Sequence, residues 1–338
     1  MRQLDFDALV PWLRERLAAD VRLRLVRPLP GGAVNRVWRV VVEVAGSGRH
    51  DLVLKADGAT GLGVGLGRVE EHALLVALHA RGLPVPAPFL AGDDPGVVGA
   101  PFLLMRRLPG LSLPARLLAA TRDPPRGEAL AEALGGALAR LHRTPPPDLP
   151  FLAPPRPTPG RAAVARCRGL LDAADAAEPV LEWALSRLAA LEPPAHEVCL
   201  IHGDCRTGNL LVDADGGFVA LLDWEFAGLG SPLEDLGWLT GRYWRFGRHD
   251  RPVGGFGSLE ALLRGYEETG GAAVDPTALL WWQTLGTVRW AAIALLQGQR
   301  FAAGERDLDL GLTPLSLPAL EAEAIRLVER LERGGGAA

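Results

Sequence analysis

Residues 200–228 read LIHGDCRTGNLLVDADGGFVALLDWEFAG, with two apolar runs, NLLV and FVALL, parted by DADGG. That pattern is a strand, a tight turn and a returning strand. A hairpin brings its two ends together. Asn209 enters the first strand and Asp223 leaves the second, so a carboxamide oxygen and a carboxylate are expected side by side at the open end. Hard oxygen ligands so placed suit Mg²⁺, which takes one or two protein carboxylates and completes its shell with water and substrate phosphates.

Upstream, VWRVVVEV (37–44) and HDLVLKA (50–56) are β-branched runs joined by the turn-like AGSGR, a second hairpin. Its returning strand carries Lys55, the only lysine among 36 Lys and Arg residues. An ammonium is a compact point charge and a guanidinium a planar fork, so this position is a candidate for chemistry that arginine does not do. Chance is the competing explanation while the residue is considered alone. VEEHALLVALHARG (69–82) then has helical periodicity with Gly82 as its stop. GVVGAPFLLMRRL (96–108) reads as another strand pair. From about residue 111 helices dominate, among them EALAEALGGALARLH (128–142), and the proline-dense TPPPDLPFLAPPRPTPG (144–160) is a rigid connection.

Composition narrows the function classes. With 338 residues the chain is long enough for two structural units. The net charge of −4 and the scattered arginines argue against a nucleic-acid binder. Three cysteines without paired spacing indicate neither a disulfide framework nor a thiolate zinc site. The N-terminus mixes acids and bases in an amphipathic pattern and lacks the apolar core of a signal peptide. The most membrane-like run, LLWWQTLGTVRWAAIALL (279–296), holds Gln283 and Arg289 and reads as a buried helix. These features predict a cytoplasmic protein without membrane partners. The glycine-rich GLGVGLG (61–67) matches neither G-x-G-x-x-G nor a P-loop and reads as a connection.

Asp204 stands five residues before Asn209. The spacing D-x-x-x-x-N is that of a kinase catalytic loop, in which the aspartate accepts the proton of the attacking hydroxyl and the asparagine holds a metal. HGDCRTGN followed by LLDWE resembles the aminoglycoside phosphotransferase family, small-molecule kinases that share the protein-kinase architecture and include choline-kinase-like relatives. HGD stands where protein kinases have HRD, and DWE where they have DFG. The resemblance extends over most of the chain through PGGAVN, the strand lysine, a helix glutamate, FLLMRRLPG and LARLH. It implies an α+β, protein-kinase-like two-lobe fold. A small N-terminal antiparallel sheet lobe with a helix would occupy residues 1–107, and a larger, mainly helical catalytic and acceptor-binding lobe residues 108–338.

The same resemblance implies roles. Lys55 would grip the α- and β-phosphates of ATP or GTP, and Glu71 would hold Lys55 by an ion pair, with Glu70 as the competing partner. Gly31 and Gly32 would cover the phosphates, a plain hairpin turn being the alternative. The base would lie against Met105 to Leu108. Asp204 would be the catalytic base, and Asn209 and Asp223 the Mg²⁺ ligands. Arg206 is a candidate for stabilising the transferred phosphoryl group, against a structural salt bridge. His202 would anchor the loop and Asp235 brace it. Although His202, Asp204 and Cys205 are the residue types of a cysteine hydrolase, they are packed too closely in sequence to converge as a triad.

The function implied is transfer of the γ-phosphoryl group to a hydroxyl of a small molecule. The alternatives are a non-catalytic nucleotide-binding regulatory protein and a protein kinase, the latter disfavoured by the absence of an APE segment after Asp223. The acceptor stays open. The tryptophans of WLTGRYWRFG (238–247) and WWQTLGTVRW (281–290) suit either an ammonium compound or the core. Glu267, Glu268, Asp307 and Asp309 suit an aminoglycoside if they reach the pocket mouth. PVGGFGS (252–258) is either a mobile lip or a connector, and the oligomeric state is not indicated.

Overall fold

The computed structural model describes residues 4–29, 36–58, 65–194, 197–305 and 307–334. The chain divides into two units, Met1–Gly110 with Ala220–Phe226 and Leu111–Val219 with Ala227–Ala338.

In the first unit, α1 (Leu9–Leu17) precedes β1 (Val21–Pro28), β2 (Arg36–Val44) and β3 (Gly48–Ala56). Next come α2 (Arg68–Ala80), β4 (Pro88–Gly92), α3 (Pro95–Val98) and β5 (Phe102–Arg106). The five strands form one antiparallel sheet in the order β1-β2-β3-β5-β4. Strand side chains alternate between faces, and the alternation sorts this sheet cleanly. Leu52, Leu54 and Ala56 join Val40, Val42, Phe102 and Leu104 in a core with Leu9 and Leu13 of α1. Each such leucine contributes roughly 1.5–3 kcal/mol by leaving water. Lys55, between Leu54 and Ala56, is thereby turned to the opposite face. Helix α2 buries Leu74, Leu75 and Leu78, and Glu71 falls on the same stripe. Glu70 lies off that stripe and caps the helix instead, accepting from Gly67 N at 2.9 Å.

The second unit holds α4 (Pro114–Ala120), α5 (Pro124–Arg143), α6 (Pro159–Ala173) and α7 (Pro179–Ala190), then β6 (Cys199–Ile201), β7 (Leu210–Val212) and the start of β8 (Phe218–Leu221). It continues with β9 (Gly228–Gly230), α8 (Pro232–Thr240), α9 (Leu259–Glu268), α10 (Pro276–Ala302), α11 (Leu308–Leu312) and α12 (Leu317–Glu332). Many of these helices open on a proline, whose fixed φ and missing N–H suit the first turn. Side-chain caps precede three of them: Thr158 accepts from Arg161 N at 3.2 Å, Ser231 from Leu233 N at 3.3 Å and Asp275 from Ala278 N at 2.7 Å. β7 and β8 form the expected hairpin, and Asp213 closes its turn by accepting from Asp215 N and Gly217 N at 2.9 and 2.8 Å. β6 pairs with β9.

Two details differ from the sequence-based expectation. Residues 96–98 are helical and belong to α3, while the partner of β5 is the earlier β4. Asp94 accepts from Gly96 N at 2.7 Å and Pro95 takes the first helical position. This local start signal outweighs the β preference of two valines. SPLED (231–235) reads in sequence as a helix start, with Ser231 as cap, Pro232 at the first position and Glu234 closing a capping box; Ser231 does cap α8, but Glu234 makes no capping box. It accepts from Arg166 at 2.7 Å. The segment 252–258 is a packed connector, with Val253 to Gly257 buried and Gly254 O accepting from Thr207 Oγ1 at 2.8 Å. Among the described residues no helix is long and apolar enough to cross a membrane. Within α10, Gln283 donates to Thr240 Oγ1 and Arg289 to Gly203 O, both at 2.8 Å.

Helices α5 and α9 pack closely enough that glycine is required at the crossing. A Cβ on Gly135 would lie 2.1 Å from Leu262 O, and one on Gly265 would lie 2.0 Å from Glu132 O. In an exposed helix, Gly→Ala stabilises by about 1 kcal/mol. Gly135→Ala is predicted to do the reverse, destabilising by about 1–3 kcal/mol through overpacking. Thermal melts read the sign, and an unchanged or raised Tm would contradict the close approach.

Candidate functional site

The first unit buries a charge network around Lys55, which is 5% exposed. Lys55 Nζ donates to both carboxylate oxygens of Glu71 at 3.0 Å and to Asp223 Oδ1, and lies 3.2 Å from Glu225 Oε2. Arg68, at the start of α2, donates to Glu71 Oε2, to Glu225 Oε2 at 2.6 Å and to Asp57 Oδ1 at 2.6 Å. The Trp224 N–H reaches Glu71 Oε1 at 3.2 Å. Segments far apart in sequence thus converge on one ammonium, including the Asp223 that follows the hairpin. Asp223 adopts φ +65°, a left-handed conformation that aspartate tolerates better than most side chains.

Burial by itself would drive the proton off Lys55. Asp223, Glu71 and Glu225 together outweigh that penalty and hold the lysine pKa above its ordinary value. Burial likewise opposes the charge on Arg68, and Glu71 and Glu225 reverse the balance, so its pKa is also raised. The Glu71 carboxyl is pushed up by burial, against Lys55 and Arg68. Two cations face four carboxylates, Asp57, Glu71, Asp223 and Glu225. The surplus is negative, and of the three carboxylates around Lys55 only Asp223 is partly open to solvent, its side chain 30% exposed against 1% for Glu71 and 7% for Glu225.

In the second unit the loop after β6 is held from α8. Asp235, fully buried in the first turn of α8, accepts from His202 N at 2.7 Å and Gly203 N at 2.8 Å. His142 of α5 faces Asp235 Oδ2 at 3.2 Å and Tyr266 Oη at 2.9 Å. Burial raises the Asp235 pKa, but His142 and His202 outweigh it and leave the carboxyl below its ordinary range. Gly203 takes φ +75°, a left-handed conformation that turns the chain into Asp204. Asp204 N then donates to His202 Nδ1 at 3.2 Å, the anchoring contact expected of that histidine.

The Asp204 carboxylate is surrounded by donors. Oδ1 accepts from Trp238 Nε1 at 2.8 Å and Arg206 Nε at 3.1 Å, and Oδ2 from Asn209 Nδ2 at 2.6 Å and Arg206 Nε at 3.2 Å. Asn209 Nδ2 also reaches Asp204 O at 3.0 Å. The amide nitrogen of Asn209 is therefore committed to Asp204, and its carbonyl oxygen is the atom suited to a hard cation. The Arg206 guanidinium sits 4.7 Å from the Trp244 ring centroid. Cys205 is fully buried, and burial beside Asp235 and Asp204 drives its thiol pKa well up, so it is no nucleophile.

Each residue singled out from sequence can now be placed. Lys55, Glu71 and Asp223 meet in the first unit, while Asp204, Arg206 and Asn209 meet in the second. Met105 pairs with Val53 and Pro88 in the sheet, and Leu108 follows β5. Gly31 and Gly32 lie outside the described residues, as do residues 61–64 of GLGVGLG. Leu66 N of that stretch donates to Glu225 O at 2.7 Å. Sequence reasoning missed Arg68, Glu225 and the tie from Trp238. Glu225 was in view as the last letter of DWE, and Arg68 as the first residue of a helix whose third turn is apolar. Neither spacing nor periodicity says that such charges turn inward.

A family model described as "Phosphotransferase enzyme family" matches residues 25–273. Acyl-CoA dehydrogenase family member 10 of Mus musculus is 29% identical over 174 residues, 49% of this chain and 16% of that protein. Acyl-CoA dehydrogenase family member 11 of Gallus gallus is 32% identical over 184 residues, 51% of this chain and 22% of that protein. The chain thus spans less than a quarter of the length of either relative. Among solved structures, a Ralstonia eutropha protein assigned to the aminoglycoside phosphotransferases has a TM-score of 0.74 at 19% identity, covering 97% of this chain and 99% of that one. A choline/ethanolamine kinase family protein from Mesorhizobium loti has 0.60 at 20%, covering 92% and 93%. The streptomycin–ATP ternary complex of APH(2″)-IIa has 0.60 at 15%, covering 94% and 96%. At these identities the likeness speaks for the fold, which is α+β and protein-kinase-like.

The Asp235 brace has a measurable pH signature. With its pKa depressed on folding, Asp235 stabilises the protein fully above its unfolded value of roughly 4. That stabilisation is lost as pH falls through the lower folded value. Asp235→Asn is expected to cost about 2–5 kcal/mol at pH 7 by leaving buried donors unmatched. It is also expected to flatten the stability loss below pH ~4. Urea unfolding over a pH series checks both.

Proposed function

The chain belongs to the phosphotransferase enzyme family, and from that premise we propose that it moves the γ-phosphoryl group of ATP or GTP to a hydroxyl of a small molecule. The observation that carries this reading is the convergence of Lys55, Glu71 and Asp223, a charge cluster of the kind found where a charged ligand is held.

In this reading Lys55 exchanges Asp223 for the α- and β-phosphates of the donor while keeping Glu71. Asp204 takes the proton of the attacking hydroxyl, and its surrounding donors keep the carboxylate aimed. Arg206, already beside Asp204, lends positive charge to the equatorial oxygens of the group in flight. Asp223 and the Asn209 carbonyl oxygen are hard donors suited to Mg²⁺. Bound there, the ion would neutralise charge on the β- and γ-phosphates. Little covalent work is asked of the protein; positioning and charge account for most of the rate. The descriptions of the structural neighbours make aminoglycosides and amino alcohols the acceptors to try first.

Phosphoryl transfer from labelled ATP in the presence of Mg²⁺ and these acceptors tests the reading. Asp204→Ala is expected to lower kcat at least about 100-fold while ATP binding, followed by calorimetry, persists. Lys55→Arg is expected to lower kcat/KM for ATP by at least about tenfold, since a guanidinium does not fit between carboxylate and phosphates as an ammonium does. Nucleotide binding without acceptor-dependent transfer in the unaltered protein would favour the regulatory alternative, and transfer only to polypeptides would favour a protein kinase.

A further inference from the structure

From the contacts of Asp204 we infer that Trp238 is a positioning residue for phosphoryl transfer, acting through the hydrogen bond from its indole Nε1–H to Asp204 Oδ1. This rests on the reading of Asp204 as the base. The tryptophans of this region suit a cationic acceptor or the core when read from sequence, and the structure gives this one a different task.

The indole N–H is a donor only and sits on a rigid ring set by two torsions. Two other core tryptophans satisfy this atom with backbone carbonyls: Trp224 with Leu221 O at 3.1 Å and Trp281 with Leu188 O at 3.0 Å. Trp238 donates instead to a carboxylate, at 2.8 Å. Its place on α8 explains how it does so. Asp235 and Trp238 are three residues apart and share a face of the helix. One binds the backbone N–H groups of His202 and Gly203, and the other binds the side chain of the next residue. A single helix therefore holds the loop by its main chain and its base by an oxygen.

The indole is itself held. The Arg289 guanidinium lies 4.5 Å from its ring centroid and donates to Gly203 O at 2.8 Å, so one side chain fixes ring and loop together. Trp244 packs edge-on at 5.4 Å, and Tyr243 lies tilted against the ring at 5.3 Å. A carboxylate's terminal torsion is broad and two-fold; Arg206 and Asn209 also bind Asp204, and the indole adds to them a donor on a rigid, packed ring that narrows its orientation. A base displaced by about 1 Å can lose on the order of 100-fold in rate.

The test uses the whole 338-residue chain with Mg²⁺ and labelled ATP, water serving as the acceptor, in a double-mutant cycle. Trp238→Phe keeps most of the ring and removes the donor. It is expected to lower kcat about 10- to 100-fold, the worth of a hydrogen bond to a charged group, with KM for ATP changed less than about twofold. In an Asp204→Asn background it should cost nothing further, because the residue through which it acts is gone. Trp281→Phe, a core tryptophan with a comparable hydrogen bond, should lower Tm and leave kcat unchanged. An unaltered kcat in Trp238→Phe, or the same fractional loss in both backgrounds, overturns the inference and returns Trp238 to packing. Full activity in Asp204→Asn would instead overturn the base assignment, an outcome distinct from either.

Discussion

A lysine ammonium that is 5% exposed can stay charged only if opposite charges replace the water it has lost. Dehydrating an ion costs several kcal/mol even after relaxation, and in the first unit Glu71, Asp223 and Glu225 meet that requirement together. Much of the local architecture follows from it. β3 must present Lys55 away from the α1 core, α2 must rotate Glu71 rather than Glu70 inward, and the chain beyond β8 must pass close enough for Asp223 to reach. Asp223 does so from a left-handed backbone conformation, which costs roughly 1–2 kcal/mol that only a strongly attractive partner would sustain. The carboxylate surplus around two cations favours admission of a further positive charge, and in the proposed function it is this lysine that trades one carboxylate for phosphate oxygens.

The second unit meets a related problem with hydrogen-bond donors from backbone and side chains. Asp235 is a buried carboxylate whose partners are two backbone N–H groups and a histidine, and it converts a short glycine-bearing loop into a rigid one. Asp204 is then aimed by Trp238, Arg206 and Asn209. A buried polar cluster is costly when half satisfied and rigid when fully satisfied. Each oxygen of Asp204 has partners, so the loop is determined by its hydrogen bonds rather than by its length or composition. The close packing of α5 against α9 at Gly135 and Gly265 keeps His142 and Tyr266, one from each helix, within hydrogen-bonding distance.

How much of this was legible beforehand depended on whether the signal was periodic. The 37–56 and 209–223 hairpins, the α2 stripe and the apolar run of α5 carry repeats of two or of three to four residues, which map directly onto faces. The spacing from Asp204 to Asn209 was equally visible, because a loop of that length can present both side chains to one place. Residues 96–98 misled because two valines argued for a strand while Asp94 and Pro95 argued for a helix start. The cap, which satisfies a backbone N–H outright, prevailed. Arg68, Glu225 and Trp238 carry no periodic mark of their roles. A charged residue at a helix start or an aromatic near a helix end is ordinarily solvent-facing or core.

The sequence alone therefore determined most of the elements, the faces they bury and the chemical types available: one lysine, a set of carboxylates, and an aspartate and an amide at a spacing that resembles a kinase catalytic loop. Those are local properties, set by side-chain periodicity and by the reach of short turns. Only the tertiary structure decided partnership, namely that Lys55 binds Glu71 and not Glu70, that Arg68 and Glu225 complete its surroundings, and that an indole from α8 meets Asp204. Partnership depends on which dehydrated charges and donors can satisfy one another in three dimensions, and no one-dimensional spacing encodes that.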